Sequence, residues 1–227
     1  TGALELPEYI YEIKEEAFLG CEGITSITTG GYLTTIGEQA FAYCNHVDEL
    51  YLGSNVSSIG DKAFYMNSRL EWVVCDAQVP PTLGEDAFEG IAANYLTVPV
   101  GCFEAYYNSP WYTYFSNIIE EGSNYPMFIE ENIKYRINVD NNTVSCVGPV
   151  ENYSPTGELA IGGTINYNSH YYNITAVEPG AFKNCTGITG LVVGAFVEEV
   201  GDEAFKGCTN LSFIRVGPEL RSIGNTA

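Results

Sequence analysis

Basic residues are scarce in this chain. Nine Lys+Arg stand against 29 Asp+Glu, for a formal net charge of -20 over 227 residues. Phosphate backbones repel such a surface, which excludes a nucleic-acid partner and disfavours an anionic membrane face. Histidine is scarcer still: His46 and His170 are the only two, so triads and histidine metal sites start with few candidates. No apolar run reaches the ~18 residues of a membrane-spanning helix, and no basic-then-apolar leader opens the chain. The seven cysteines are odd in number and thin for the length, unlike a disulfide-stapled domain. Hydrophobic residues still make up 45% of the chain, enough to build a core and to exclude disorder.

What is present is a repeat. One phrase recurs: an aliphatic residue, usually Gly, two polar residues, Ala-Phe, two residues, usually Cys. It reads Ile13-Lys-Glu-Glu-Ala17-Phe18-Leu-Gly-Cys21, Ile36-Gly-Glu-Gln-Ala40-Phe41-Ala-Tyr-Cys44 and Ile59-Gly-Asp-Lys-Ala63-Phe64-Tyr-Met-Asn67. It continues as Leu83-Gly-Glu-Asp-Ala87-Phe88, and returns as Val177-Glu-Pro-Gly-Ala181-Phe182-Lys-Asn-Cys185 and Val200-Gly-Asp-Glu-Ala204-Phe205-Lys-Gly-Cys208. The Ala-to-Ala steps are 23, 23 and 24 in the first run and 23 in the second. Downstream of the phrase lies a second pattern, as in Val47-x-x-Leu50-x-Leu52, Leu70-x-x-Val73-x-Cys75 and Leu211-x-x-Ile214-x-Val216. Its alternating end predicts a short strand with one face inward. A shorter alternation precedes each Ala-Phe, as in Leu33/Ile36 and Val56/Ile59, and turn residues such as Gly53-Ser54-Asn55 separate the two. The expected unit is strand, turn, short strand, and one helical or 3₁₀ turn carrying Ala-Phe. Its period falls in the ~20–29-residue window of leucine-rich repeats.

The phrase resembles the BspA-like leucine-rich repeat family over about residues 3–99 and 174–227. Residues 95–120, from Tyr95-Leu-Thr-Val-Pro-Val-Gly-Cys-Phe-Glu-Ala-Tyr106 through Trp111 to Ile118, are similar to the segment that closes such arrays. Residues 127–175 are similar to the β-rich segment that opens one. The resemblance implies secreted or surface proteins of bacteria or protozoa, adhesion or other protein binding, and no enzymatic activity.

The expected architecture is therefore a β-rich repeat solenoid of two tandem arrays, joined by a helical cap and a β-hairpin segment. Residues 1–123 hold the first array with an aromatic cap at about 101–118. Residues 124–227 hold a β-rich cap, about 126–173, and the second array. The boundary is expected at Glu120-Glu-Gly-Ser-Asn124. A terminal repeat leaves its core open, and Phe103, Tyr106, Tyr107, Trp111, Tyr112 and Phe115 form a face able to cover it, with Pro110 starting a second short helix. A sugar platform is the other reading of the same aromatics. Residues 128–147 predict a hairpin turning at Asp140-Asn-Asn142, and residues 159–175 another near Asn168-Ser169. Both ends look cut within a repeat, so a signal or lipid anchor is expected upstream of residue 1.

Chemical constellations are few. Cys21, Cys44, Cys185 and Cys208 share one repeat position, held by Asn67 in the third copy. They read as buried thiols stacked along a spine, although ~4.8 Å between rungs lies within disulfide reach. Cys75 reads as core, while Cys102 and Cys146 lack a visible partner. Cys44 and His46 share a strand face without a third orienting group, which argues against a nucleophile–base pair. No Cys/His cluster has zinc spacing, Asp140-Asn-Asn142 is too short for a calcium loop, and Gly162-Gly163 is not followed by a helix as a phosphate loop would be. Neither cofactor nor metal is expected, and Asn173-Ile-Thr175 is a glycan acceptor only in a eukaryotic source.

The remaining candidates lie on the outward side of the longer strands. In the first array these are Ser26 and Thr28, Glu49 and Tyr51, Trp72 and Val74, and Tyr95 and Thr97. Adjacent strands are expected to bring Tyr51, Trp72 and Tyr95 near one another, and such aromatics are favoured at binding hot spots. The matching set in the second array, Gly190, Val192, Phe213 and Arg215, is smaller. The expected function is a non-catalytic surface or secreted module that binds a host or bacterial protein through Glu49, Tyr51, Trp72, Val74, Tyr95 and Thr97. A carbohydrate-binding accessory and a structural spacer are the alternatives.

Overall fold

The computed structural model describes residues 2–93, 95–123 and 125–227. They fall into two compact units, Thr1–Asn124 and Tyr125–Ala227. Asn124, the last residue of the expected linker, lies outside the described residues.

In the first unit each period makes one rung of a three-sided solenoid. One side is a parallel sheet of Gly2–Glu5, Ile24–Thr28, Glu49–Leu52, Trp72–Cys75, Tyr95–Val98 and Asn117–Glu120, paired in that order. The second side is a ladder of two-residue strands, Glu12–Ile13, Thr35–Ile36, Ser58–Ile59 and Thr82–Leu83. The alternation in the sequence sets both: Leu50, Leu52, Val73 and Cys75 are buried, while Glu49, Tyr51 and Trp72 face out.

The third side carries Ala-Phe, and here the expected helical or 3₁₀ turn takes the form of successive i→i+3 turns stacked rung on rung. The N–H groups of Glu16, Phe18 and Gly20 donate to the carbonyls of Glu38, Ala40 and Ala42 on the next rung at 2.8–2.9 Å. Between them Ala17 and Leu19 close local turns onto Lys14 and Glu16. A helix would send those N–H groups to its own carbonyls. The residue before each Ala therefore sits in left-handed backbone: Glu16 at φ 57°, Gln39 at 50°, Lys62 and Asp86 at 54°. That conformation costs a non-glycine residue ~1 kcal/mol or more, and the bonds between rungs offset it.

The recurring glycine has a steric cause. A Cβ on Gly60 would lie 2.7 Å from the Glu38 backbone nitrogen of the preceding rung. Lys14 occupies the same position on the first described rung. Inside the solenoid Phe18, Phe41, Phe64 and Phe88 stack face to face, with centroids 4.9, 5.4 and 5.0 Å apart and planes within 6°.

The stack ends under the aromatic cap. Helix Phe103–Tyr107 and the 3₁₀ turn Pro110–Thr113, whose first N–H is accepted by the Ser109 hydroxyl, place Trp111 and Phe115 against Phe88 at 5.3 and 5.2 Å. Trp111 Nε1 donates to Pro81 O at 2.8 Å and the Tyr106 hydroxyl to Ala77 O at 2.7 Å. Phe103, Tyr106, Trp111 and Phe115 are buried, which makes them core rather than a sugar platform. Ile118, expected at the end of the cap, lies instead in the sixth strand of the sheet, opposite Leu96.

The second unit opens on an antiparallel meander, Met127–Glu130, Ile133–Asn138 and Thr143–Pro149. The expected single hairpin over 128–147 is thus two. The added turn is Glu131-Asn132, both in left-handed backbone at φ 49° and 63°, the geometry of a type I′ turn. The hairpin at Asn168-Ser169 joins Thr164–Tyr167 to His170–Val177. It is shorter than expected, because Gly157–Ile161 belongs to another sheet, parallel with Ile188–Val193 and Phe213–Arg215. Gly162 makes the switch possible: at φ 145°, a Cβ there would lie 2.3 Å from Gly194 Cα. His170–Val177 continues in parallel into Glu199–Val200 and Ser222–Ile223, and Phe182 stacks on Phe205 at 5.4 Å.

Candidate functional site

The outward residues of the first sheet form two rows, because register is strict. One row runs Ser26, Glu49, Trp72, Tyr95 and Asn117; the other runs Thr28, Tyr51, Val74, Thr97 and Ile119. Trp72 and Tyr95 are direct neighbours, stacked at 5.5 Å between centroids and 14° between planes. Tyr51 occupies the adjacent row, diagonal to Trp72. Its hydroxyl donates to Glu49 Oε2 at 3.4 Å, and partial burial followed by the Glu49 carboxylate raises its pKa above the usual phenol value. Tyr51, Trp72 and Tyr95 are each 39% exposed, and Val74 and Thr97 are half-buried between them. All six expected residues thus lie on one face, with the aromatic contact confined to the Trp72–Tyr95 pair. Sequence reasoning missed Asn117, which extends one row by a strand; Ile119 continues the other row in register but is buried at 4% exposed, so it adds nothing to the open face.

In the second unit Phe213 lies beside Gly190, and a Cβ on that glycine would meet the ring at 2.2 Å. Arg215 covers the same ring at 5.0 Å. This face carries one aromatic, 38% exposed, where the first sheet carries three.

The cysteines are placed for packing. Among the described residues all seven thiols are free. Cys44 Sγ donates to Phe18 O at 3.1 Å and Cys208 Sγ to Phe182 O at 3.2 Å, the same bond in both units. Burial pushes the Cys44 and Cys75 thiols up to about 11 and that of Cys146 to about 12, opposite to what a nucleophile needs. In the third copy Asn67 Oδ1 accepts the Cys44 N–H at 2.8 Å. His46 is exposed while Cys44 is buried, so the two form no catalytic pair. His170 Nε2 bonds Asn142 Oδ1 at 2.8 Å, and Asp140 accepts the Tyr125 hydroxyl at 2.5 Å. Among the described residues no group of His, Cys, Asp or Glu is arranged to hold a metal ion. No helix among them is long and apolar enough to cross a membrane.

A solenoid of short parallel strands with an Ala-Phe turn face and a free outer sheet defines a leucine-rich repeat protein. The family of the BspA type leucine rich repeat region matches residues 2–112 and 164–227, with six copies, and the chain belongs to it. No curated protein matches the sequence. Among solved structures, a leucine-rich repeat protein from Bacteroides capillosus ATCC 29799 is 15% identical over 44% of this chain and 93% of its own, with a TM-score of 0.38. A leucine rich cell surface protein from Faecalibacterium prausnitzii A2-165 is 18% identical over 94% of this chain and 72% of its own, with a TM-score of 0.32. The leucine-rich repeat protein of T. pallidum is 17% identical over 98% and 72%, with a TM-score of 0.31.

Proposed function

We propose that this chain is a non-catalytic interaction module of a secreted or surface protein. In this reading the two repeat arrays act as tandem domains, and the first binds a protein partner through the outer face of its sheet. The observation that carries the proposal is the stacked Trp72–Tyr95 pair beside Tyr51, held open to solvent on a flat parallel sheet. Trp and Tyr desolvate a large area with few rotors to immobilise, and Glu49 adds a carboxylate for a basic group on the partner. The acidic balance of the chain favours basic partners, with binding that weakens as salt rises. The coplanar rings also suit a hexose face, which supports glycan binding as a second reading; a spacer role would leave the face without a ligand.

The test is Trp72→Ala combined with Tyr51→Ala, measured by surface plasmon resonance against immobilised secreted and cell-surface proteins, with a glycan array in parallel. Loss of a protein interaction at unchanged circular dichroism supports the first reading. Selective glycan hits lost in the double variant support the second. An interaction that survives the double variant places binding elsewhere.

A further inference from the structure

The strand Gly157–Ile161 pairs on one side. It runs parallel with Ile188–Val193, and among the described residues its other edge is unpaired. The Gly157 N–H donates to Gly187 O and the Ile161 carbonyl accepts from the Gly194 N–H, both on the paired side. Successive residues of a strand turn their N–H and C=O groups to opposite sides, so those of Glu158 and Ala160 point to the free edge. A row of open main-chain groups is a template for one more strand.

That edge borders a cavity of about 550 Å³, lined by residues of the second unit. The lining joins Glu158, Leu159 and Ala160 to Ile133 and Ile174, which are 7% and 4% exposed. Along the strand, Leu159 and Ile161 pack with the core, while the Glu158 and Ala160 side chains are exposed. Glu130 and Glu131 line the same cavity, and no lysine, arginine or histidine does. The edge thus offers main-chain bonds, an apolar recess and negative charge, and each selects a different part of a ligand.

Main-chain bonds along an edge select an extended peptide, and residues paired across two strands point to the same face. A peptide side chain opposite Leu159 then turns toward the core side, where Ile133 and Ile174 favour an apolar one. A side chain opposite Glu158 turns outward beside a carboxylate, which favours a basic one. We propose that the free edge of Gly157–Ile161 takes up an extended segment of a partner protein in which apolar residues alternate with lysine or arginine. This site lies in the second unit and does not depend on the sheet face of the first.

The experiment uses the whole chain, ¹⁵N-labelled at physiological salt, titrated with a capped heptapeptide of alternating lysine and valine. Saturable shifts at Glu158 and Ala160 are expected, with slowed hydrogen exchange at both amides. An added strand uses one of its own two edges. N-methylation of one alternate set of peptide residues should therefore abolish binding, and that of the other set should not. Glutamate in place of lysine, or the same residues in two blocks, should weaken binding roughly tenfold or more. Ala160→Pro removes a free-edge N–H without touching the pairing to Ile188–Val193, a change that an edge strand tolerates. At an unchanged melting temperature it should cost roughly tenfold in affinity, as loss of one hydrogen bond does. Glu49→Gln, in the other unit, should leave binding unchanged. Equal affinity for both methylated peptides or for the block peptide, unsaturable shifts spread over the acidic surface, or full affinity of a folded Ala160→Pro chain would overturn the proposal. So would exchange at Glu158 and Ala160 that slows with chain concentration alone, which would assign the edge to a second copy.

Discussion

The two units use the same repeat positions with different results. Leu50, Val73 and Leu96 are fully buried in the first unit and Leu191 is 2% exposed in the second, whereas Ile214, on the last described rung, is 58% exposed. Ile59 and Val200 are 1% and 4% exposed, and Ile223, on that last rung, is 63% exposed. A repeat residue carries apolar surface, but its neighbours decide whether that surface leaves water. In the first unit four phenylalanines stack and Trp111 and Phe115 cover the last of them; in the second, two phenylalanines stack. Stability should therefore scale with the number of neighbours, not with the match to the repeat.

The sharpest way to break that comparison is Phe64→Ala. Phe64 is fully buried between Phe41 and Phe88, so its removal opens a cavity with rings on both sides. A loss of ~3–5 kcal/mol is expected. Phe205→Ala, with one stacked neighbour, should cost about half of that. Both tryptophans lie in the first unit. Tryptophan fluorescence in urea thus reports that unit, and circular dichroism reports both. Equal costs for the two variants would refute dependence on neighbours.

Trp111→Phe tests the cap on a smaller scale. The substitution keeps an aromatic ring on Phe88 but leaves Pro81 O without its donor. About 1–3 kcal/mol should be lost, from the first unit alone. A change in the urea transition of the second unit would contradict that confinement.

Much of this was legible in the sequence, for a physical reason. Apolar spacing and the Ala-Phe phrase encode which residues face inward on each rung, and Pro110 with the aromatics after it encodes a cap. The Asn168-Ser169 turn was legible because a two-residue turn is a local choice. What escaped was partner choice. Leu159 and Ile161 alternate like any strand, and nothing near them says that they join Ile188–Val193 rather than Thr164–Tyr167. The Ala-Phe segment read as an isolated helical or 3₁₀ turn because the bonds that join its turns into a ladder run to residues about 22 positions away. In the candidate site the face was legible, but the row was not. Tyr51 and Trp72 differ by 21 positions, two short of the 23-residue period, which puts them on a diagonal rather than side by side.

Alkaline pH probes the buried thiols. Cys44 and Cys75 have folded-state pKa values raised from 9.0 to about 11, and Cys146 to about 12. Raised values mean that folding favours the neutral thiol. Its contribution is complete below pH 9 and is lost as pH rises through 11 in the first unit and 12 in the second. Urea midpoints should fall from pH 9 upward, and Cys44→Ala with Cys75→Ala should flatten the fall reported by tryptophan fluorescence. An unchanged slope in that double variant would show that other groups carry the alkaline loss.

The smallest effect is the one that bears on function. Trp72 and Tyr95 could stack to stabilise their sheet or to present a surface to a partner, and the two uses make different demands on energy. Cross-strand aromatic pairs contribute roughly 0.5–1.5 kcal/mol when stability is their role. A double-mutant cycle with Trp72→Ala and Tyr95→Ala, in urea, isolates the coupling from the loss of each ring. Because both rings are 39% exposed and each already rests on its own strand, the coupling should fall at or below the bottom of that range. Fluorescence loses its Trp72 contribution in half of the cycle, so circular dichroism is the common readout. Tyr51→Ala, with no ring contact to Trp72 and a single long bond to Glu49, serves as the reference for an uncoupled aromatic on the same face. A coupling well above 1 kcal/mol would mean that the pair is part of the sheet's own cohesion, and the case for a binding platform would then rest on Tyr51 and Glu49 alone.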